Sequence, residues 1–445
     1  MSHSTAPVRG QTFRRDAPGY EAARQAAMWN ARRPDRFPDI IVQANDVYEV
    51  VQAVRLAKRE GLRVGVRSGG HSWAGNHVRD GGMLLDVSRL RDAEIDRHAM
   101  RARVGPGCAG HALASRLGRH GLFFPAGHCQ GVALGGYLLQ GGFGWHSRTL
   151  GPACMSVEAI DCVTADGDLV HASATENPEL YWAARGAGPG FFAVVTRFHL
   201  RLYPRPRVIG FALQRFSADH LDDVFRWLHA IGPEVSPAVE LQVLISRGLG
   251  GIRGPGLEVV APVFADGLRA ALRATAFMRD SPRGARRSLR FVPSGLGLMY
   301  RGVMNHYPDD HRYAVDNMWT RAPIDALLPG LHRIVETLPP APSHALWLNW
   351  APPAERPDMA FSMEDRLYLA LYAVWRDAAD DHRFDRWPVE RMRELAHLAT
   401  GIQLADENLG QRPAKFVADP NLVRLDAARA AHDPAGRFHP WMGRP

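Results

Sequence analysis

Val66-Arg67-Ser68-Gly69-Gly70-His71-Ser72 and, about sixty residues later, Gly127-His128-Cys129-Gln130-Gly131-Val132-Ala133-Leu134-Gly135-Gly136 are the stretches that decide how this chain is read. The second runs on into Gln140-Gly141-Gly142-Phe143-Gly144, so seven glycines fall between Gly127 and Gly144. Glycine adopts positive φ and carries no Cβ, which lets several N–H groups converge on a large anion or a flat ring. Ser68-Gly69-Gly70-His71-Ser72 suits a pyrophosphate, with serine hydroxyls as extra donors. The second segment is too long for one turn and suits a loop that follows an extended dinucleotide.

Each segment also carries one nucleophile, His71 in the first and Cys129 in the second. Alone, such a histidine is more often structural, and such a cysteine is more often a small buried hydrophobe. Placed together on glycine loops they fit one electrophile, a flavin ring. An imidazole nitrogen can bond to the 8α-methyl group and a thiolate to ring carbon C6, each in place of a C–H hydrogen. The expected cofactor is therefore FAD, covalently bound to His71 and Cys129, doing the redox chemistry while the protein tunes and places it.

The surrounding composition agrees. No Asp or Glu occurs from Arg97 to Val157, a stretch with six arginines and five histidines. Such surroundings favour a pyrophosphate and an anionic ring. With 445 residues, 46% of them hydrophobic, the chain is long enough for two domains. The net charge of +8 is mostly arginine spread along the whole sequence, which suits anionic ligands. No basic-aromatic pattern indicates nucleic acid. Four cysteines make no disulfide framework, and no pair has zinc-ligand spacing, so no metal is expected. Arg14-Arg15 lacks the apolar run of an export signal, and no apolar run approaches membrane-spanning length. A soluble cytoplasmic protein is the expectation. The oligomeric state is not legible.

Local patterns place the motifs. Residues 20–33 read as a helix. Asn45 or Asp46 caps a second helix that ends at Gly61. Leu62–Val66 reads as a strand whose exit loop is the first glycine segment. Val157–Val163 and Leu169–Ala172 read as a hairpin turning at Asp166-Gly167. Tyr203-Pro204-Arg205-Pro206 is a stiff break and the expected domain boundary. Beyond it come a helix capped by Ser217, strands near 240–245, 257–263, 345–350 and 367–375, and helices at 388–399 and 421–431. Gly105-Pro106-Gly107-Cys108-Ala109-Gly110 matches the G-x-G-x-x-G of a nicotinamide site. It lacks the acid about 20 residues later that such a site requires, and Pro106 removes an N–H. It reads as a tight strand-to-helix turn.

These motifs resemble the berberine-bridge-enzyme-like FAD-linked oxidases of the vanillyl-alcohol-oxidase (PCMH-type) superfamily. The resemblance covers about residues 37–204 and the C-terminal tail. The first glycine segment is similar to the family's histidyl-FAD loop, and the second to its cysteinyl-FAD segment. Gln140–Gly144 with Arg148 and Gly151 resembles the next flavin-contacting run. Asn177–Gly186 and Gly190–Thr196 resemble the adenine-side segment, and Asp433-Pro434 with Phe438 resembles the closing signature. The resemblance implies an α+β, two-domain PCMH-type fold. Residues 1–204, completed by 401–445, are the expected FAD-binding domain. Residues 205–400 are the expected substrate domain, an antiparallel sheet flanked by helices.

It further implies cofactor contacts from Arg67, Ser68, Gly69, Gly70, His71, Ser72, Cys129, Val132, Gly135, Gly136, Gly141, Gly142, Gly144, Val194 and Val195. Val132 takes the position over the flavin face that governs oxygen access, where valine resembles oxidases. Departures are Gln403 in place of the family's tyrosine, Ala133 and Ala193 in place of glycines, Gly436 in place of asparagine, and Met363-Glu364 in place of His-Arg.

A base is needed to take the substrate proton. The late strands are its expected source. Glu364, Tyr368 and Tyr372 share one parity, as do Trp347 and Asn349. Tyr372 and Glu364 lead, with a tyrosine beside an arginine or a carboxylate as the base, followed by Tyr368 and Asn349; Trp145 and His146 are further candidates. The expected function is an oxidase acting on an alcohol or amine carbon of a bulky natural product or carbohydrate, with O2 reduced to H2O2. A dehydrogenase with another acceptor and a catalytically degenerate flavin-binding protein are the alternatives.

Overall fold

Continuous apolar runs and alternating ones sort this chain into parallel and antiparallel sheets. The computed structural model describes residues 10–350, 352 and 355–444. The stretch before Gly10, part of the segment read as lacking an export signal, lies outside them. β1 (Gln11–Arg14), β2 (Ile40–Gln43), β3 (Val64–Arg67) and β4 (Met83–Asp86) form one sheet in the order β1-β2-β4-β3. The last three strands run parallel, and Ile40, Ile41 and Val42 are buried as such strands require. β5 (Ala93–Asp96) and β6 (Arg101–Val104) begin a second sheet, completed after β7 (Leu122–Phe123) by β8 (Val157–Val163), β9 (Leu169–Ser173) and β10 (Val194–Arg201) in the order β5-β6-β10-β8-β9. Among the described residues, β7 pairs only with β11 (Tyr203–Pro204). The helix Val47–Arg59 buries Val50, Ala53, Val54 and Ala57, and the Asp46 carboxylate accepts from Glu49 N–H at its start. Gly167 turns the β8–β9 hairpin at φ +85°.

Beyond the proline break the chain forms one antiparallel sheet of eight strands. These are β12 (Val208–Ser217), β13 (Leu241–Arg247), β14 (Pro255–Ala265), β15 (Arg287–Ser294), β16 (Arg312–Thr320), β17 (His344–Asn349), β18 (Leu367–Trp375) and β19 (Ala399–Gly401), in the order β15-β12-β14-β13-β17-β18-β16-β19. Alternation divides its faces. Leu241, Val243, Ile245, Ala345, Trp347, Leu367, Leu369 and Leu371 join a core with residues of the helices Leu221–Ile231, Ile324–Thr337 and Trp387–Glu394. The other face looks toward the glycine loops. The architecture is α+β, with the eight-stranded sheet following the smaller sheets of the first part of the chain, as expected for the PCMH type.

The tail returns to the first sheet. Phe438 bridges to Val64, and Arg437 donates to the carbonyls of Ala57 and Leu62. The Asp433 carboxylate fixes the turn by accepting from the N–H groups of Arg437 and Phe438 at 2.6 and 2.9 Å.

Several local expectations differ from the structure. The first helix covers only Tyr20–Ala26, because Trp29 N–H bonds to Gly70 O and Asn30 bonds to the backbone of Trp73 and Tyr313. Ser217 caps no helix. Its hydroxyl donates to Asp219, and a short 3-10 turn precedes Leu221. The helix expected at 388–399 is Trp387–Glu394, and Ala399 begins the edge strand β19.

Candidate active site

The loop leaving β3 and the loop from Gly127 to Gly136 face the open side of the eight-stranded sheet across a cavity of about 350 Å³. The expected residues Arg67, Ser68, Gly69, Gly70, His71, Ser72, Cys129, Val132, Gly135, Gly136 and Val195 all line it. Among the described residues, the N–H groups of Gly69, Gly70, His71 and Ser72 have no internal acceptor. Gly70 has φ +74°, and a Cβ there would lie 2.4 Å from Ala27 O. Gly131 has φ +83°, and its Cβ would crowd His71 Nε2 at 3.0 Å. Free donors held by obligatory glycines fit a pyrophosphate-bearing cofactor. Arg67 is a strut, its guanidinium held by both carboxylate oxygens of Asp86 at 3.0 and 2.9 Å.

His71 stacks on Trp29 with ring centroids 5.0 Å apart. Burial, reinforced by Arg67, holds its imidazole down to about 4. The ring is therefore neutral and nucleophilic at neutral pH. Cys129 packs against the aromatic cluster of Tyr307, Tyr313, Trp319, Tyr368 and Tyr372. Burial, with the Asp406 carboxylate adding in the same direction, pushes its thiol up to about 12.

The sheet contributes Gln242, Leu244, Trp319, Leu346, Leu348, Tyr368 and Tyr372 to the lining. Both tyrosine hydroxyls donate to Asp406 Oδ2, Tyr368 at 2.5 Å and Tyr372 at 2.9 Å. Trp73 Nε1 donates to Asp406 Oδ1 at 2.7 Å. Burial raises the Asp406 carboxyl above its usual range. Burial and the Asp406 charge raise both phenols well above theirs. Asp406 was not among the expected residues. The tyrosines answer to this carboxylate and not to an arginine.

Other expected residues lie elsewhere. Asn349 faces the helices, accepting from Trp347 Nε1 and donating to Leu228 O. Its strand has the expected alternation, but Leu346 and Leu348 hold the cavity side. Glu364 precedes β18 in a loop, where it pairs with Arg356 and accepts from Trp350 Nε1. Gly141, Gly142 and Gly144 are absent from the lining. Their missing side chains make room for Phe361, for Tyr137 and Ala153, and for Ala126 O with Tyr137. Val194 is buried in the core behind Val195. Trp145 packs between His128 and Tyr300, and His146 stacks on Phe264. In the G-x-G-x-x-G look-alike, a Cβ at Gly105 or Gly107 would meet Leu90 O or Ser88 O at 2.3 Å, as a tight turn requires. Gln403 lines the cavity, its backbone tied to the Asn317 side chain.

Residues 38–173 match the description of an FAD-binding domain. An FAD-linked oxidoreductase of Hypoxylon pulicicidum is 32% identical over 94% of this chain and 94% of its own length. Among solved structures, the 6-hydroxy-D-nicotine oxidase of Arthrobacter nicotinovorans superposes with a TM-score of 0.85 at 25% identity, covering 98% of each chain. The fold of the berberine-bridge-enzyme-like protein 1 of Physcomitrella patens superposes at 0.84 with 19% identity, over 98% of this chain and 97% of that one. The fold is that of FAD-dependent oxidoreductases. The chain belongs to the family of FAD-linked oxidoreductases, and its fold is shared with the berberine-bridge-enzyme-like protein. Among the described residues no helix is long and apolar enough to cross a membrane.

Proposed function

We propose that FAD is attached in this cavity to both His71 and Cys129 and that the protein is an oxidase of an alcohol or amine carbon in a bulky, largely apolar natural product. FAD, when bound, supplies the hydride acceptor and returns the electrons to O2 as H2O2. Residues 1–204 with 401–445 serve the cofactor, and residues 205–400 the substrate. Gly69, Gly70, His71 and Ser72 offer N–H groups to the pyrophosphate. Neutral His71 offers a ring nitrogen for its bond, whereas the Cys129 thiol must first lose a proton. Val132 is assigned control of oxygen access to the ring.

The substrate sits against β13, β17 and β18. Its hydroxyl or amine proton passes to Tyr372 Oη as that phenol gives its own proton to Asp406 Oδ2, with Tyr368 holding the same oxygen. A carboxylate whose basicity burial has raised is a suitable terminal acceptor. The Leu244, Val303, Met304, Leu346 and Leu348 side chains lining the cavity favour an apolar compound over a carbohydrate, which would need paired hydrogen-bond partners for each hydroxyl. The observation that carries this reading is one cavity with His71 and Cys129 at its glycine loops and a Tyr–Tyr–Asp cluster facing them. The test is a panel of apolar alcohols and amines screened for peroxide release, with anaerobic bleaching of the flavin. Bleaching followed by fast recolouring in air supports an oxidase. Slow recolouring assigns another acceptor and removes the role given to Val132.

A further inference from the structure

Outside the cavity, three adjacent strands bring together two imidazoles and a carboxylate. Asp161 lies on β8, His171 opposite it on β9, and His199 on β10. Asp161 is 10 residues from His171 and 38 from His199 in sequence, so no spacing motif announces the group and only the sheet unites it. Asp161 Oδ1 is 2.7 Å from His171 Nδ1, and Oδ2 is 3.1 Å from His199 Nε2. One atom from each of the three residues falls within 4.8 Å of the other two. Bonds of about 2.0–2.1 Å to a common ion place neighbouring ligand atoms about 3 Å apart, so small side-chain rotations suffice to converge them. The side chains are 29%, 40% and 25% exposed for Asp161, His171 and His199. The strands hold them on one side, and solvent can supply the remaining ligands. Arg197, which pairs with Asp161 in register, leans toward Glu94 at 3.8 Å.

We propose that Asp161, His171 and His199 form a binding site for one divalent transition-metal ion, of the class that takes two imidazoles and one carboxylate with water completing the shell. Imidazole ligands select zinc-like ions over magnesium or calcium, which prefer all-oxygen sets. A bound ion would tie β8, β9 and β10 together, so its effect is on stability and not on turnover.

The test uses the flavin-loaded full-length protein stripped with a chelator and then titrated with zinc chloride by calorimetry. One equivalent should bind saturably, and the melting temperature should rise with zinc concentration. Cobalt(II) in place of zinc should develop visible absorption bands that zinc erases. His171→Ala, His199→Ala and Asp161→Asn should each weaken binding at least tenfold and abolish the melting shift, with flavin content unchanged. His332→Ala, which removes a histidine paired with Asp222 alone, should leave binding as in the parent. No saturable equivalent in the parent, or an equivalent that persists in the His171→Ala/His199→Ala double variant, overturns the proposal. Should a histidine variant lose its fold, the Asp161→Asn titration and the cobalt spectrum decide the question.

Discussion

Asp406→Asn keeps the shape of the buried carboxylate while removing its charge and its capacity to accept a proton. In the parent, Oδ2 accepts from Tyr368 at 2.5 Å and Tyr372 at 2.9 Å, and Oδ1 accepts from Trp73 at 2.7 Å. An asparagine oxygen can still serve Trp73, but its amide turns donors toward two phenols. Two hydrogen bonds to a charged group contribute about 1.5–3 kcal/mol each. Against that loss stands the desolvation of a buried carboxylate, an effective penalty of several kcal/mol. The two nearly cancel, so the variant should melt close to the parent, within about 2 kcal/mol in stability. Its flavin-reduction rate should fall about 10²- to 10⁴-fold, the range of a general base. Asp406→Ala differs: three donors lose their acceptor at about 1–3 kcal/mol each, and the fold itself suffers.

The pH dependence follows from the direction of the shift. Burial raises the Asp406 carboxyl above its ordinary value, so the folded state keeps a proton that the unfolded chain has lost. Stability from this group therefore declines as pH rises from that ordinary value, about 3.9, through the folded one. Activity rises across the upper part of the same window as the carboxylate becomes available. Asp406→Asn should lack both limbs. Anaerobic stopped-flow reduction across pH, with any substrate found by the peroxide screen, reads the activity, and thermal melts read the stability. A variant with full flavin content whose reduction rate stays within threefold of the parent would refute the relay.

Further outcomes follow from the cofactor side. His71→Ala and Cys129→Ala should each leave flavin attached by one bond, and the double variant should release it into acid supernatant; acid-stable colour in the double variant removes both sites. Because His71 is held neutral, down to about 4, while the Cys129 thiol is pushed up to about 12, the histidyl bond should form first when apoprotein meets FAD. The cysteinyl bond should then form faster as pH rises, and time-resolved mass measurement that finds the reverse order contradicts those environments. Gly70→Ala should lose flavin occupancy, since its φ is +74° and the new Cβ meets Ala27 O, a left-handed strain of about 1–2 kcal/mol before the clash is counted. Equal occupancy and melting temperature would show that the loop does not need the glycine.

The cofactor side of the cavity was legible because its chemistry is local. Ser68 to Ser72 carry donors, glycines and a nucleophile within five residues, and the loop exit of β3 follows from a simple alternation. Leu367–Trp375 was legible for the same reason, and Tyr368 and Tyr372 share the face that alternation assigns. Alternation says which residues share a face, not which face fronts a ligand, and so Asn349 fell on the wrong side. Glu364 failed because parity was carried past the start of β18 into a loop that follows no strand period. Gly141, Gly142 and Gly144 show that a glycine making room for a neighbouring side chain reads like one making room for a cofactor. Asp406 ends a short 3-10 turn, Leu404–Asp406, after β19, and its partner Trp73 is 333 residues away. Only tertiary contact gives it meaning.

The central claim is that a single flavin is bonded to both His71 and Cys129. Proteolysis of the purified protein followed by peptide mass measurement tests it directly. The predicted result is one species in which the peptide containing His71 and the peptide containing Cys129 are joined through one FAD-derived mass. Recovery of both peptides unmodified, with FAD free in solution, would contradict it.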